Sequence, residues 1–262
     1  MSPSSSSRPP VRAIVARFSS PPAREVIENV LREYPFEFCA LMLEGKEPQF
    51  FSGLPREAQE WLVSAEIRGC EYAGTDWNSL APLDAEIIEK MRDAEAIFMD
   101  TVTRLEWKRA VPYATRKRWY LQHLRFWNDY LTRKKINLFL SAWIPHQLPD
   151  VLLYQLCRVR GIPTLFFHTT LVQDVSFAAS TVEDPAPVLK DRYEALIRSH
   201  AGVSNPDDIP LEPLFEARYQ SLITERRKSR PWRVCAGRRR PTESGSFCGT
   251  NLSDFSATGP GI

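Results

Sequence analysis

The tightest constraint on the fold lies between Ile136 and His168. Residues 136–145 (Ile-Asn-Leu-Phe-Leu-Ser-Ala-Trp-Ile-Pro) are a dense run of aliphatic, aromatic and β-branched side chains, the composition of a buried strand. Pro149 and Asp150 then open a helix, where a missing backbone N–H is tolerated in the first turn. Val151, Leu152, Tyr154, Gln155, Leu156 and Val159 continue it until Gly161, a residue that accepts the left-handed helix cap. Residues 162–168 (Ile-Pro-Thr-Leu-Phe-Phe-His) read as a second strand. Strand, short helix and strand in succession predict a right-handed crossover and a parallel pair.

That geometry has a chemical consequence. In an open parallel sheet the carboxyl ends of the strands share one edge, and ligands bind there. His146 lies just past the first strand with Gln147 beside it, and His168 closes the second. Thr169, Thr170 and Asp174 follow in the next loop. Imidazoles, hydroxyls and a carboxylate on one rim can deprotonate an acceptor hydroxyl or hold a sugar. Each also has an ordinary role: a histidine at a strand end is satisfied by backbone, and Asp174 suits a turn or helix cap. The two histidines lack a third ligand with sequence support, so no metal is expected.

The preceding residues repeat the theme. Residues 11–18 alternate as a first strand, although Arg8, Arg12, Arg17 and Arg24 precede any acid, which is also the bias of a transit peptide. Ser19-Ser20-Pro21-Pro22 starts a helix with Val26, Ile27, Val30 and Leu31 on one face, and residues 36–43 form the next strand. Residues 55–67 and 84–92 read as further helices and 96–100 as a short strand. From 115 to 135 runs a long helix whose stripe of Tyr120, Leu124, Trp127 and Leu131 is most simply core. Residues 188–199 and 211–228 are helical by periodicity. The expected fold class is α/β: a Rossmann-like parallel sheet flanked by helices, with a helical carboxyl-terminal extension and a disordered tail. The expected divisions are 1–10 disordered, 11–185 the sheet domain, 186–229 the extension, and 230–262 disordered or out of frame. From Pro231 on, the chain holds five of its 11 Gly, no Lys and few aliphatic residues, so it cannot bury enough apolar surface to offset its ordering entropy.

Composition excludes several classes. With 34 Lys and Arg against 32 Asp and Glu, no global field marks a polyanionic partner. Five scattered cysteines make neither a disulfide scaffold nor a zinc module, and no apolar run is long enough to span a bilayer. No GxGxxG or GxxxxGK[ST] occurs, so dinucleotide and P-loop sites have no motif and no cofactor is expected. Locally the balance differs: residues 104–135 hold ten Lys or Arg against Glu106 and Asp129. Arg116, Lys117, Arg118, Arg125, Lys134 and Lys135 therefore form either a solvated helix face or a patch for anionic lipid or another polyanion. Nucleic acid ranks below both, because no recognition motif accompanies the charge.

The sequence Ile144-Pro145-His146, Asp150-Val151-Leu152-Leu153-Tyr154, Gly161-Ile162-Pro163-Thr164-Leu165, His168-Thr169-Thr170 and Glu183-Asp184 resembles the capsular or surface polysaccharide biosynthesis proteins, which are glycosyltransferase-like and of the GT-B type. The resemblance covers roughly residues 137–185. It implies transfer of a sugar from a nucleotide donor to a glycan hydroxyl, with His146 or His168 as base and Gln147, Thr169, Thr170 and Asp174 on the acceptor. It also implies a cytoplasmic protein, peripheral at the inner face of a membrane. The donor-binding half that such enzymes carry has no counterpart after residue 185. Two other functions fit the same residues: a non-catalytic glycan- or partner-binding module, and a basic nucleic-acid-binding α/β domain.

Overall fold

The computed structural model describes residues 10–45, 47–72, 74–104, 110–169, 176–183, 186–205, 208 and 210–228. Its strands are Val11–Ala16 (β1), Phe36–Met42 (β2), Gln59–Trp61 (β3), Leu138–Ser141 (β4), Thr164–Thr169 (β5) and Ser176–Ala179 (β6). They make one sheet in the order β3-β2-β1-β4-β5-β6, parallel throughout except for β6, which runs antiparallel to β5. The helices are Pro21–Glu33 (α1), Ser64–Arg68 (α2), Ala85–Lys90 (α3), Arg92–Thr103 (α4), Tyr113–Arg133 (α5), Leu148–Val159 (α6), Pro187–Ser199 (α7) and Pro213–Lys228 (α8). The chain divides into two compact units, Met1–Leu196 and Ile197–Ile262, with the boundary inside α7. The first unit holds the sheet and α1 to α6, a Rossmann-like α/β arrangement; the second holds α8. No described helix is long and apolar enough to cross a membrane.

Strand periodicity sorts the core into two layers. Successive side chains point to opposite faces, so Ala13, Val15, Cys39, Leu41 and Leu140 pack on one side with Ile27 and Leu31 of α1. Ile14, Ala40, Met42, Phe139 and Phe166 face the other, against Phe98 of α4, Tyr120, Leu124 and Trp127 of α5, and Leu152, Leu153 and Leu156 of α6. Ile14, Leu41, Phe139 and Phe166 are fully buried, each stabilising the fold by roughly 1.5–3 kcal/mol. The helix faces are narrower than the sequence indicates: Val26 of α1 is 45% exposed while Ile27 and Leu31 are buried. Gly161 closes α6 with φ 67, and the Ile162 N–H bonds to the Cys157 carbonyl at 2.8 Å, the left-handed cap that turns the chain into β5.

Three elements differ from the sequence expectation. Residues 96–100 are not a strand but the middle of α4, where Ala94, Phe98 and Val102 recur at helical spacing and are buried. A short apolar run has no period of its own to separate the two forms. Residues 55–67 are not one helix: a 3-10 turn at Arg56–Ala58 leads into β3 and then α2. There the buried Gln59 amide bonds Phe51 on both N–H and carbonyl and holds the chain in register with β2, a tertiary override of local propensity. Strand β6 lies in a region assigned no element from sequence. Apart from Pro10, the segments expected to be disordered, 1–10 and 230–262, lie outside the described residues.

One buried polar group couples this core to pH. His123 of α5 is wholly enclosed; the Tyr72 hydroxyl meets its Nδ1, and Cys70 Sγ lies 3.0 Å from Nε2. Burial pushes the imidazole down from 6.5 to about 3. The unfolded chain therefore binds a proton that the folded chain refuses. The contribution of the neutral ring is complete above 6.5 and is lost as pH falls toward 3, at about 1.4 kcal/mol per pH unit. Urea unfolding at pH 7 and pH 5 is expected to reveal an acid loss about 2 kcal/mol larger in the wild type than in His123→Gln. Identical pH responses in the two proteins would take His123 out of the linkage.

Candidate functional site

The crossovers from β1 to β2 and from β4 to β5 run in opposite directions, so the winding of the sheet reverses between β1 and β4. Connections on either side diverge at such a point, and in parallel sheets it is there, at the carboxyl ends of the two strands, that a ligand crevice forms. Arg17 follows β1 at that point with φ 68, a left-handed conformation that costs a non-glycine residue about 1–3 kcal/mol. The turn is pinned by the Arg17 N–H on the Met42 carbonyl at 3.0 Å and the Ser19 N–H on the Arg17 carbonyl at 2.9 Å.

The strained turn sends the guanidinium into the crevice. Nη2 and Nε of Arg17 donate to Asp150 Oδ2 at 2.9 and 3.2 Å, and Nη1 donates to Glu44 Oε1 at 3.0 Å. Gln147 Oε1 accepts from Nη2 of Arg17 and, at 3.4 Å, from Arg68. The Arg17 and Asp150 side chains are 4% and 3% exposed, whereas Glu44 is 57% exposed, so the network runs from the core to solvent. Asp150 sits in the first turn of α6, where the helix dipole favours its charge. Burial nevertheless pushes its carboxyl upward, against the pull of Arg17, His146 and Arg68. Asp150 Oδ1 has no hydrogen-bond partner among the described residues.

Above this network lies the loop that follows β4. The Ser141 hydroxyl donates to the Trp143 carbonyl at 2.7 Å and accepts from the Trp143 N–H at 3.3 Å, closing the first turn. Trp143 is 54% exposed, and its ring stacks on His146 with centroids 5.9 Å apart. His146 Nδ1 lies 2.8 Å from the Ile144 carbonyl. A carbonyl can only accept, so Nδ1 carries a proton, and in the neutral form of the ring it is Nε2 that keeps a lone pair. The exposed histidine is thereby set up as a proton acceptor.

The residues expected at this rim fare differently. His146 and Gln147 lie at the reversal, the one exposed and the other tied into the arginine network. His168 and Thr169 end β5 opposite Phe177 and Ser176, and the parallel pairing of β4 with β5 puts them on the same sheet edge as His146. Thr170 and Asp174 lie outside the described residues. Of Arg17, Glu44, Arg68 and Asp150, which meet at this network, the sequence marks only Asp150, as a helix opener, and Arg17, as an arginine closing an apolar strand; nothing in it pairs the two. The Tyr154 hydroxyl, in α6, donates to Glu183 Oε2 at 2.6 Å.

The basic residues of α5 do not form one face. Arg116 ties α5 to α4 through the Met99 carbonyl and Thr103 Oγ1, and Lys134 pairs with Glu60. Lys135 takes φ 52 in the turn after the helix. Lys117, Arg118 and Arg125 share a groove. No cluster of three or more His, Cys, Asp or Glu fit to hold a metal occurs among the described residues. No family model, curated protein or solved structure matches the chain.

The arginine network makes a direct stability prediction. Arg17→Ala leaves Asp150 buried without its partner and is expected to cost about 3–5 kcal/mol, measured as a lowered urea midpoint. Arg17→Met combined with Asp150→Leu removes both charges and should recover most of that loss. A double variant as unstable as the single one would locate the cost elsewhere than in the stranded carboxyl.

Proposed function

We propose that the chain is the acceptor-side domain of a glycosyltransferase-like surface-polysaccharide protein, and that the crevice at the winding reversal holds a glycan. The observation that carries this reading is the exposed Trp143–His146 pair standing over the Arg17–Asp150–Gln147 network. A sugar ring presents an apolar face that packs on an aromatic side chain. Its edge of hydroxyls suits charged and amide groups held in fixed positions. In the transfer, His146 Nε2 takes the proton of the acceptor hydroxyl as that oxygen bonds to the anomeric carbon of the donor sugar. The bond from that carbon to the nucleotide phosphate breaks, and its electron pair leaves with the phosphate.

A second reading, a glycan-binding module without turnover, is favoured by one observation. Among the described residues the six-stranded sheet is followed only by α7 and α8, which supply no second sheet for a nucleotide sugar. Both readings share the glycan and differ in the reaction.

The test uses the full chain. Short neutral and uronic-acid oligosaccharides, titrated against tryptophan fluorescence, are expected to quench saturably. Trp143→Ala should weaken binding by about tenfold or more, equivalent to about 1.4 kcal/mol. With a panel of nucleotide sugars added, His146→Ala should keep the binding and lower transfer by roughly 10²–10⁴-fold. Binding without transfer in the wild type would leave the module. No saturable binding to any oligosaccharide would overturn both readings.

A further inference from the structure

The outward side of α5 carries a second, unrelated feature. A groove of about 950 Å³ runs between α5, α3 and the loop that precedes α3. Its apolar lining includes Trp77, Leu83, Ile88, Tyr113 and Leu121, while its charged lining is Lys117, Arg118 and Arg125, with no acidic side chain. Tyr113 is 68% and Ile88 37% exposed, so hydrocarbon surface stands open beside the cations.

The three cations keep unequal amounts of field. Lys117 is ion-paired with Glu95. Arg125 donates to the Leu80 and Ala81 carbonyls at 2.7 and 3.2 Å, uncharged acceptors that fix the guanidinium while leaving its charge in place. Arg118 is exposed. Residues 118 and 125 are seven apart on one helix, about 10 Å along its axis. The groove therefore offers an arginine fixed on backbone carbonyls, an exposed one and an apolar trough between the walls.

We propose that this groove seats the protein on an anionic membrane by taking up a phospholipid presented by the bilayer. The headgroup phosphate lies on Arg118 and Arg125, and an acyl chain follows Leu121, Ile88 and Leu83. Trp77 and Tyr113 stand at the level where aromatic side chains favour the boundary between headgroups and hydrocarbon. Charge complementarity selects this occupant: a neutral apolar peptide leaves the cations unanswered, and a nucleic acid leaves the aliphatic lining unanswered. The proposal stands apart from the glycan crevice, and either can fail alone.

Co-sedimentation of the full chain with vesicles tests it. Binding is expected to phosphatidylcholine vesicles containing phosphatidylglycerol and not to phosphatidylcholine alone. Arg118→Glu should weaken it by about fivefold or more, and Ile88→Glu should weaken it comparably by removing apolar contact. Lys135→Glu, which makes the same charge change outside the groove, should have a much smaller effect. Unfolding midpoints of the three variants, all at exposed positions, check that the fold is retained. Equal binding to neutral and anionic vesicles, no binding to either, or equal losses from Arg118→Glu and Lys135→Glu would overturn the proposal. So would an Arg118-dependent preference for duplex DNA over the vesicles.

Discussion

The buried contact between Arg17 and Asp150 is the constraint on which the rim of this fold depends. It joins the end of β1 to the first turn of α6 at the one place where the sheet reverses its winding. Bringing both groups out of water is costly, and attraction inside the protein offsets that cost only with good geometry and further hydrogen bonds. The geometry comes from the left-handed turn at Arg17, and the further bonds come from Glu44 and Gln147. A strained backbone and a desolvated ion pair at one point are a local loss of stability. The two well-filled core layers on either side of the sheet supply the surplus that sustains it.

Those layers follow from simple rules. The apolar residues of β1 are buried from Ala13 to Ala16 because helices cover both faces. Right-handed crossovers then put α1 on one face and α6 on the other, since the two connections step outward from β1 and β4 in opposite directions. The reversal is thus a product of topology, and the crevice exists before any functional side chain is placed in it. Helix α5 serves this arrangement by filling the second layer with Tyr120, Leu124, Trp127 and Leu131. From Phe126 to Leu131 every residue of the helix is buried, and Arg116, Lys117 and Arg118 lie in its first half.

Legibility in the sequence followed the range of each interaction. The β4–α6–β5 unit could be read because its strand runs, helix start and Gly161 stop are contiguous and local. The positions of His146 and His168 on one edge followed from that unit alone. Strand β3 was hidden, because its backbone is held by the Gln59 amide and by pairing with β2 rather than by its own residues. Arg17 and Asp150 were hidden for a stronger reason. They are 133 positions apart, and nothing in either local sequence names the other. The charge excess of residues 104–135 was correctly counted but not divisible by inspection. Arg116 bridges helices and Lys134 pairs with Glu60, while Arg118 and Arg125 line the groove.

The crevice is organised in two tiers with different physical duties, which explains what a motif search can and cannot find. The lower tier, Arg17 with Asp150, is nearly closed to solvent and fixes the start of α6. The upper tier, Trp143 with His146, is exposed and borrows its orientation from the backbone through Ser141 and Ile144. Loops over a rigid sheet edge are where ligand contacts gather, so residue types with chemical reach stand out there even in a single sequence. The tier beneath them acts by position, and position is a property of the folded chain. Gln147 belongs to both: it occupies the N-cap position of α6, accepts from the Arg17 guanidinium and directly follows His146. The Arg17 network is thus one residue away from the exposed imidazole, and Gln147 is the covalent link between the two tiers.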